Sequence, residues 1–304
     1  MRTSIIIKMP FLSIVIINYN TRDLLQKCLV NLLSIYPEKE IIVVDNGSSD
    51  GSAEMVRNEF NEVLLIETTN NGLAAGSNLG LERSRGDYVL YMGTDAYPTS
   101  ETVSGMIEYM EENNNVGIST AKLVLRDGTV DMDAHRGFPT PWAAFTHFTK
   151  INKIFPDSRF FNRYFLGGLD MKQPHEIDLC IAHFMFIRRV VFDRIGKWDE
   201  QFFLYGEDVD FCYRTKEAGF KIMYLPQFSV LHYKGVTVGI RKQTTDISTA
   251  SQETRKKMKK ETTRAMRLFY DKHYKNKYPK WLTGIVLFGI ESLSRLREKG
   301  FFLG

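Results

Sequence analysis

The segment FFLYGEDVDFCYR, Phe202 to Arg214, places Glu207, Asp208 and Asp210 within four positions behind an aromatic run. Carboxylates so close repel one another unless a helix terminus, a cation or a substrate engages them. Asp208 to Ala218 reads as a helix with Gly219 at its end, and Asp210 and Arg214 stand one turn apart as an ion pair. Glu207 and Asp208 therefore fall at the helix N-terminus, where the dipole favours negative charge. Asp210 is assigned to structure through Arg214. Taken bare, the cluster is a charged helix start with a surface salt bridge; the aromatic run before it points instead to a sugar-stacking, partly dry setting. Trp198 and Tyr205 are candidate stacking platforms or core residues.

Such groups need a scaffold to face a substrate. LSIVIIN (Leu12 to Asn18) is a continuous β-branched run, the pattern of a buried strand. Thr21 to Ile35 follows with a 3.6-residue stripe of Leu24, Leu25, Cys28, Leu29, Leu32 and Leu33. Strand, helix, strand, helix and strand are then expected over EIIVVD, Ser52 to Phe60, VLLIET, Leu73 to Ser84 and DYVLYMGTDAYP. That alternation predicts a parallel sheet with right-handed crossovers. After Val116 the pattern changes. VGIST and KLVLRDGTVDM suggest a strand and a hairpin turning at Asp127-Gly128. Residues 138–173, rich in aromatics, Pro and Gly, predict a loop-rich insertion.

In open α/β sheets, ligands bind beyond the carboxyl ends of the strands. There the chain places Asn18, Tyr19 and Asn20, then Asp45 to Asp50, then Asn70, Asn71 and Gly72, then Thr94, Asp95 and Ala96. An aromatic ring beside a carboxylate and amides can hold a nucleobase. An aspartate at a strand end can hold a divalent cation, since Mg²⁺ and Mn²⁺ prefer oxygen ligands. Each residue singly could equally be making a turn. No G-x-G-x-x-G follows the first strand and no P-loop lysine is present, which disfavours glycine-loop cradling of a dinucleotide or ATP.

Taken in order, SIVIINYN, VVDNGSSDGS, NNGLAAGSNLG, DYVLYMGTDA and FFLYGEDVDFCYRTKEAGFKIMYLPQFSVLHYKG resemble family 2 inverting glycosyltransferases of the GT-A fold. They look most like the bacterial rhamnosyltransferase-like branch, and the resemblance runs from Leu12 to Gly235. It implies a mostly parallel central sheet flanked by helices, an α/β domain over 11–240 with a nucleotide-sugar-binding half (11–120) and an acceptor-binding half (121–240). A basic helical extension (241–304) follows. Tyr19 and Asp45 are then expected at the nucleobase. Asn71 and Asn78 are expected to line the nucleotide-sugar site together with Asn18 and Thr94. Asp95 would end a metal motif for Mg²⁺ or Mn²⁺, with His232 as a further metal or diphosphate contact; alone, that histidine could equally be structural. Gly93 departs from the family pattern, so the ribose or metal contact usually made there is missing. Asp208 would be the base that takes the acceptor hydroxyl's proton, with Glu207 binding or orienting the acceptor sugar.

The expected activity is transfer from a nucleotide-diphosphate sugar, dTDP-L-rhamnose or else a UDP-hexose, to a polysaccharide or lipid-linked glycan. A member impaired in catalysis, which binds nucleotide sugar or glycan without turnover, is the competing reading, and Gly93 favours it. A nucleotidyltransferase lacks support because no glycine- and arginine-rich phosphate loop stands near the N-terminus.

The 304 residues, 43% hydrophobic and 25% charged, have the composition of a globular protein. Three widely spaced cysteines without a CxxC argue against a disulfide framework and against zinc. The N-terminal run Ile5 to Ile7, broken by Lys8 and Pro10, is unlike a signal peptide, and a cytoplasmic location is expected. From Arg241 onward 16 Lys and Arg face 6 Asp and Glu, while the chain as a whole carries +4. A basic tail on an acidic body disfavours general nucleic-acid binding and fits one end meeting an anionic surface. WLTGIVLFGIESLSRLREKGFFLG either lies in a membrane interface at the inner face of the cell membrane or packs on the domain.

Overall fold

The computed structural model describes residues 10–234 and 252–298 of the chain. The run before Pro10 and the first residues of the basic extension, 241–251, lie outside the described residues. The first alternation forms as expected: β1 (Leu12–Asn18), α1 (Arg22–Leu32), β2 (Lys39–Asp45), α2 (Ser52–Glu59), β3 (Val63–Glu67), α3 (Leu73–Arg83) and β4 (Tyr88–Met92). A two-residue β5 (Ala96–Tyr97), α4 (Ser100–Glu112) and β6 (Val116–Leu125) follow. The insertion holds a 3₁₀ turn (Met132–Ala134), α5 (Pro141–Phe148) and α6 (Ile151–Ile154). Then come β7 (His175–Ile177), β8 (Phe184–Arg188), α7 (Arg189–Ile195), α8 (Glu207–Glu217), β9 (Lys221–His232), α9 (Gln252–His273) and α10 (Lys280–Glu298).

The strands form one sheet in the order β3-β2-β1-β4-β8-β6-β9-β5, with β7 pairing separately with β9. Alternation along β1 divides the interior in two. Leu12, Ile14 and Ile16 join α1, α2 and α4 on one face, whereas Val15 joins α3, α7 and α8 on the other. Both faces are covered, which is why Ile14 to Ile17 of β1 run apolar without interruption.

The expected parallel sheet is present as β3-β2-β1-β4. Beyond β4 the sheet is mixed: β8 enters antiparallel between β4 and β6, and β9 runs parallel to β6. The strand and hairpin expected after Val116 are instead one ten-residue strand, β6. Its turn at Asp127-Gly128 keeps a single antiparallel bridge, Val124 to Val130, rather than a second strand.

Candidate active site

Parallel register sets Asn18 opposite Asp45 at the carboxyl ends of β1 and β2. Asn18 Nδ2 donates to Asp45 Oδ1 (2.8 Å), while Asn18 Oδ1 accepts from Thr21 Oγ1 (2.7 Å), which in turn meets Thr94 Oγ1 (2.9 Å). Ser48 N donates to Asp45 Oδ2 (2.9 Å). This fixes the aspartate at the strand tips beside the half-buried Tyr19. Asn18 and Thr94, expected at the nucleotide sugar, are buried inside this network, where Asn18 bonds Asp45 directly and Thr94 meets Thr21.

The turn after β4 builds the second part. Pairing of β5 with β9 sets Ala96 opposite His232, and Gly93 N donates to the carbonyl of His183 just before β8 (3.0 Å). Asp95, His183 and His232 thereby converge, each offering a ligand atom within 4.8 Å of the others. His232 Nδ1 lies 3.0 Å from Asp131 Oδ2, and Lys234 also holds Asp131. A proton on Nδ1, donated to that carboxylate, leaves the Nε2 lone pair free. Nε2 is buried without a hydrogen-bond partner, 3.7 Å from Asp95 Oδ1. An imidazole oriented by a carboxylate behind it, with its second nitrogen aimed at another carboxylate, fits a divalent ion of the Mn²⁺ type.

His183 escaped the sequence reading. Its one signal was a histidine directly before a strand, a position where most histidines are structural. It also accounts for Gly93. A Cβ there would stand 2.5 Å from Asp95 Oδ1 and 3.1 Å from His183 Cδ2, so the small residue makes room for the cluster.

Across from this group, α8 begins at Glu207 after two left-handed residues, Tyr205 (φ 66°) and Gly206 (φ 84°). Asp208 Oδ1 accepts from the Val209 amide (2.8 Å), and Oδ2 lies 3.8 Å from Arg136 Nη2. Burial raises the Asp208 pKa, and the nearby Arg136 partly offsets this. Glu207 is pushed well above the usual carboxylate range by burial and by Asp208, and its Oε2 has no hydrogen-bond partner among the described residues. Arg136 ties the helix start to the Asp/His cluster: it faces Asp208, its Nε donates to the Asp133 carbonyl (2.8 Å), and Lys234 holds both Asp133 and Asp131, the carboxylate behind His232.

The Asn71 to Asn78 segment packs against the stretch that leads into α8. At Gly72 (φ 100°) an added Cβ would lie 2.4 Å from the Phe203 carbonyl, which accepts a hydrogen bond from Leu73 N (2.7 Å). Asn78, expected to line the sugar site, is buried and spends its amide elsewhere. Its Nδ2 donates to the Trp198 carbonyl (3.0 Å) and Glu200 (2.7 Å), and its Oδ1 accepts from Trp198 N (3.0 Å). Asn71 stays exposed, donating to Thr69 Oγ1 (3.2 Å). Trp198 is no sugar platform: it is buried, stacked on Phe211 at 4.4 Å and edge-on to Tyr91. Tyr205 packs against the cluster formed with α9 and α10.

A family model described as glycosyl transferase family 2 matches residues 13–196. The chain belongs to glycosyl transferase family 2. Rhamnosyltransferase WbbL of Escherichia coli is 26% identical over 234 residues, 72% of this chain and 82% of the relative. An N-acetylglucosaminyl-diphospho-decaprenol L-rhamnosyltransferase of Mycobacterium tuberculosis is 24% identical over 242 residues, 75% and 78% of the two chains. An uncharacterized glycosyltransferase of Haemophilus influenzae is 31% identical over 113 residues, and the match spans 36% of this chain but only 45% of the relative. The mannosyltransferase PcManGT of Pyrobaculum calidifontis, solved with GDP-Man and Mn²⁺, superposes with a TM-score of 0.57 at 16% identity, over 95% of this chain and 71% of the other. The fold is thus the GT-A type expected, and this family 2 protein is a glycosyltransferase.

The C-terminal helices of the transferase pack on it. Phe269, Tyr270 and Tyr274 of α9 and its end bury against Phe202 and Tyr213, and α10 covers part of the same cluster. Lys272 and His273 both reach Asp210 on α8, at 2.7 Å each.

Proposed function

We propose that the protein transfers a sugar with inversion from a nucleoside-diphosphate donor to a hydroxyl of a lipid-linked glycan, with Asp208 as the base. The observation that carries this reading is the chain of contacts from Asp208 through Arg136, Asp133, Lys234 and Asp131 to His232 of the Asp95/His183/His232 cluster. It suits an acceptor hydroxyl on one side and a diphosphate on the other. Tyr19 and Asp45 would hold the base of the nucleotide. Buried Glu207, with its unpartnered oxygen, would grip an acceptor hydroxyl, and Arg136 would keep Asp208 ionised enough to take the proton. Asp95, His183 and His232 would hold a divalent cation, which when bound offsets charge on the leaving diphosphate.

The named relatives favour L-rhamnose as the sugar, with dTDP-L-rhamnose as the proposed donor and a UDP-hexose second; the diphospho-decaprenol in one name favours a lipid-linked acceptor. A cytoplasmic enzyme touching the inner face of the membrane through its tail fits such a substrate. No described helix is long and apolar enough to cross a membrane. The decisive experiment is a panel of nucleotide sugars with Mg²⁺ or Mn²⁺, followed by release of nucleoside diphosphate. Absence of release and of binding for every sugar would remove the reading.

Two further results are expected. Asp95→Ala weakens nucleotide-sugar binding in Mn²⁺ but changes it little in chelator, as read by calorimetry; equal loss in both would deny the residue a ligand role. Gly93→Asp, although it supplies the acidic residue that the family pattern implies there, weakens Mn²⁺ binding about tenfold or more by crowding Asp95 and His183. Tighter Mn²⁺ binding would show that position 93 wants a ligand after all.

A further inference from the structure

Large apolar side chains exposed singly are ordinary, but here they are grouped. Of the fourteen exposed among the described residues, six lie between Trp142 and Phe160 and four on α10. Within these two groups Ile154 (70% exposed), Phe160 (61%), Trp281 (68%) and Phe288 (74%) are the most open. A groove of about 360 Å³ lined by Thr140, Trp142, Arg159, Phe160, Arg163 and Tyr278 joins the insertion to the turn between α9 and α10. Arg159 and Arg163 line it, and Lys150 and Lys153 lie in the same insertion; all four are exposed and form no ion pair among the described residues. Aromatic rings ringed by unpaired cations match a bilayer interface, where the rings reach the acyl boundary and the cations meet phosphates. A second copy of the chain fits poorly, because a two-fold contact through this face would set the same four cations against one another.

We propose that the aromatic insertion over residues 140–163, with α10 beside it, is a docking surface for an anionic lipid bilayer, and that Arg159 and Arg163 hold lipid phosphates in the groove. This goes beyond a tail that touches the membrane, since the insertion belongs to the catalytic body. The surface is also directly coupled to the base. Tyr164, next to Arg163, accepts a hydrogen bond from Arg136 Nη1 (3.0 Å), its carbonyl accepts from Gly137 N (2.9 Å), and Arg136 faces Asp208. Docking on this face would present a lipid-borne hydroxyl to the acceptor side of the site, a consequence that rests on the function proposed above.

The test is co-flotation of the full chain with phosphatidylcholine vesicles with and without phosphatidylglycerol. The expected result is binding that requires phosphatidylglycerol and weakens with salt. Arg159→Ala with Arg163→Ala lowers the partition coefficient about 30-fold. Phe155→Ser with Phe160→Ser lowers it as well, while thermal unfolding and nucleotide-sugar binding stay as in the parent. Binding indifferent to lipid charge, or unchanged in both double variants, overturns the proposal. So does a dimer in light scattering that Phe155→Ser with Phe160→Ser dissociates. Vesicle binding without any nucleotide-sugar binding would overturn the functional reading and leave the docking surface standing.

Discussion

Asp208→Asn is expected to leave nucleotide-sugar binding within about twofold of the parent and to lower transfer about 10²- to 10⁴-fold. The substitution keeps the shape and the hydrogen bond from the Val209 amide but removes the ability to take a proton. Calorimetry reads the binding, and release of nucleoside diphosphate in the presence of acceptor reads the transfer. Transfer within about threefold of the parent would move the base elsewhere.

The pH dependence sharpens this expectation. Burial holds the Asp208 carboxyl above its ordinary range, against the pull of Arg136, so the acid limb of the rate profile should lie above that of a solvated aspartate. Arg136→Met removes the opposing charge and moves the limb to still higher pH. Stability follows the opposite sense. A carboxyl with a raised folded pKa binds more protons folded than unfolded, so its contribution is lost as pH rises from the unfolded value through the folded one. Asp208→Asn should therefore unfold at a higher temperature near neutral pH than the parent. A gain in stability with a loss of turnover is what a residue kept for chemistry, not packing, would give.

Asp210→Ala should have the largest effect on the fold, costing about 3–5 kcal/mol in urea unfolding, toward the lower end because its partners can rehydrate. Asp210 is fully buried and holds three side chains from two helices: Arg214 Nε (2.8 Å), Lys272 Nζ (2.7 Å) and His273 Nε2 (2.7 Å). Burial alone would raise its pKa, yet the hydrogen bonds from His273, Lys272 and Arg214 hold it at about 2. This contribution is present above the unfolded carboxyl pKa and is lost as pH falls from there through about 2. The loss in Asp210→Ala should accordingly shrink in acid. Since Asp210 sits two residues after Asp208 on α8, turnover should fall too, with recovery in osmolytes that restore the fold. A cost below about 1 kcal/mol would mean that α9 is held by its aromatic contacts alone.

How far these arguments could be made without coordinates differs from residue to residue. The β-branched run of β1, the leucine stripe of α1 and the carboxylates at the start of α8 were legible, because local sterics and periodicity dictate them. The Asp210–Arg214 pair was legible for the same reason, one helical turn fixing its separation. The antiparallel entry of β8 between β4 and β6 was not. Neither was the fate of Asn18, Asn78, Thr94 and Trp198, whose types announce a capacity to bond or stack but not the partner. Asn78 could have met a sugar; instead it meets the backbone of Trp198, brought to it by the docking of two distant segments. His183 joins Asp95 and His232 only because β8 pairs beside β4 and β9 beside β5. Short-range backbone preference can be read from neighbours in the chain, whereas the choice among possible side-chain partners is made by topology, which depends on contacts far apart in sequence.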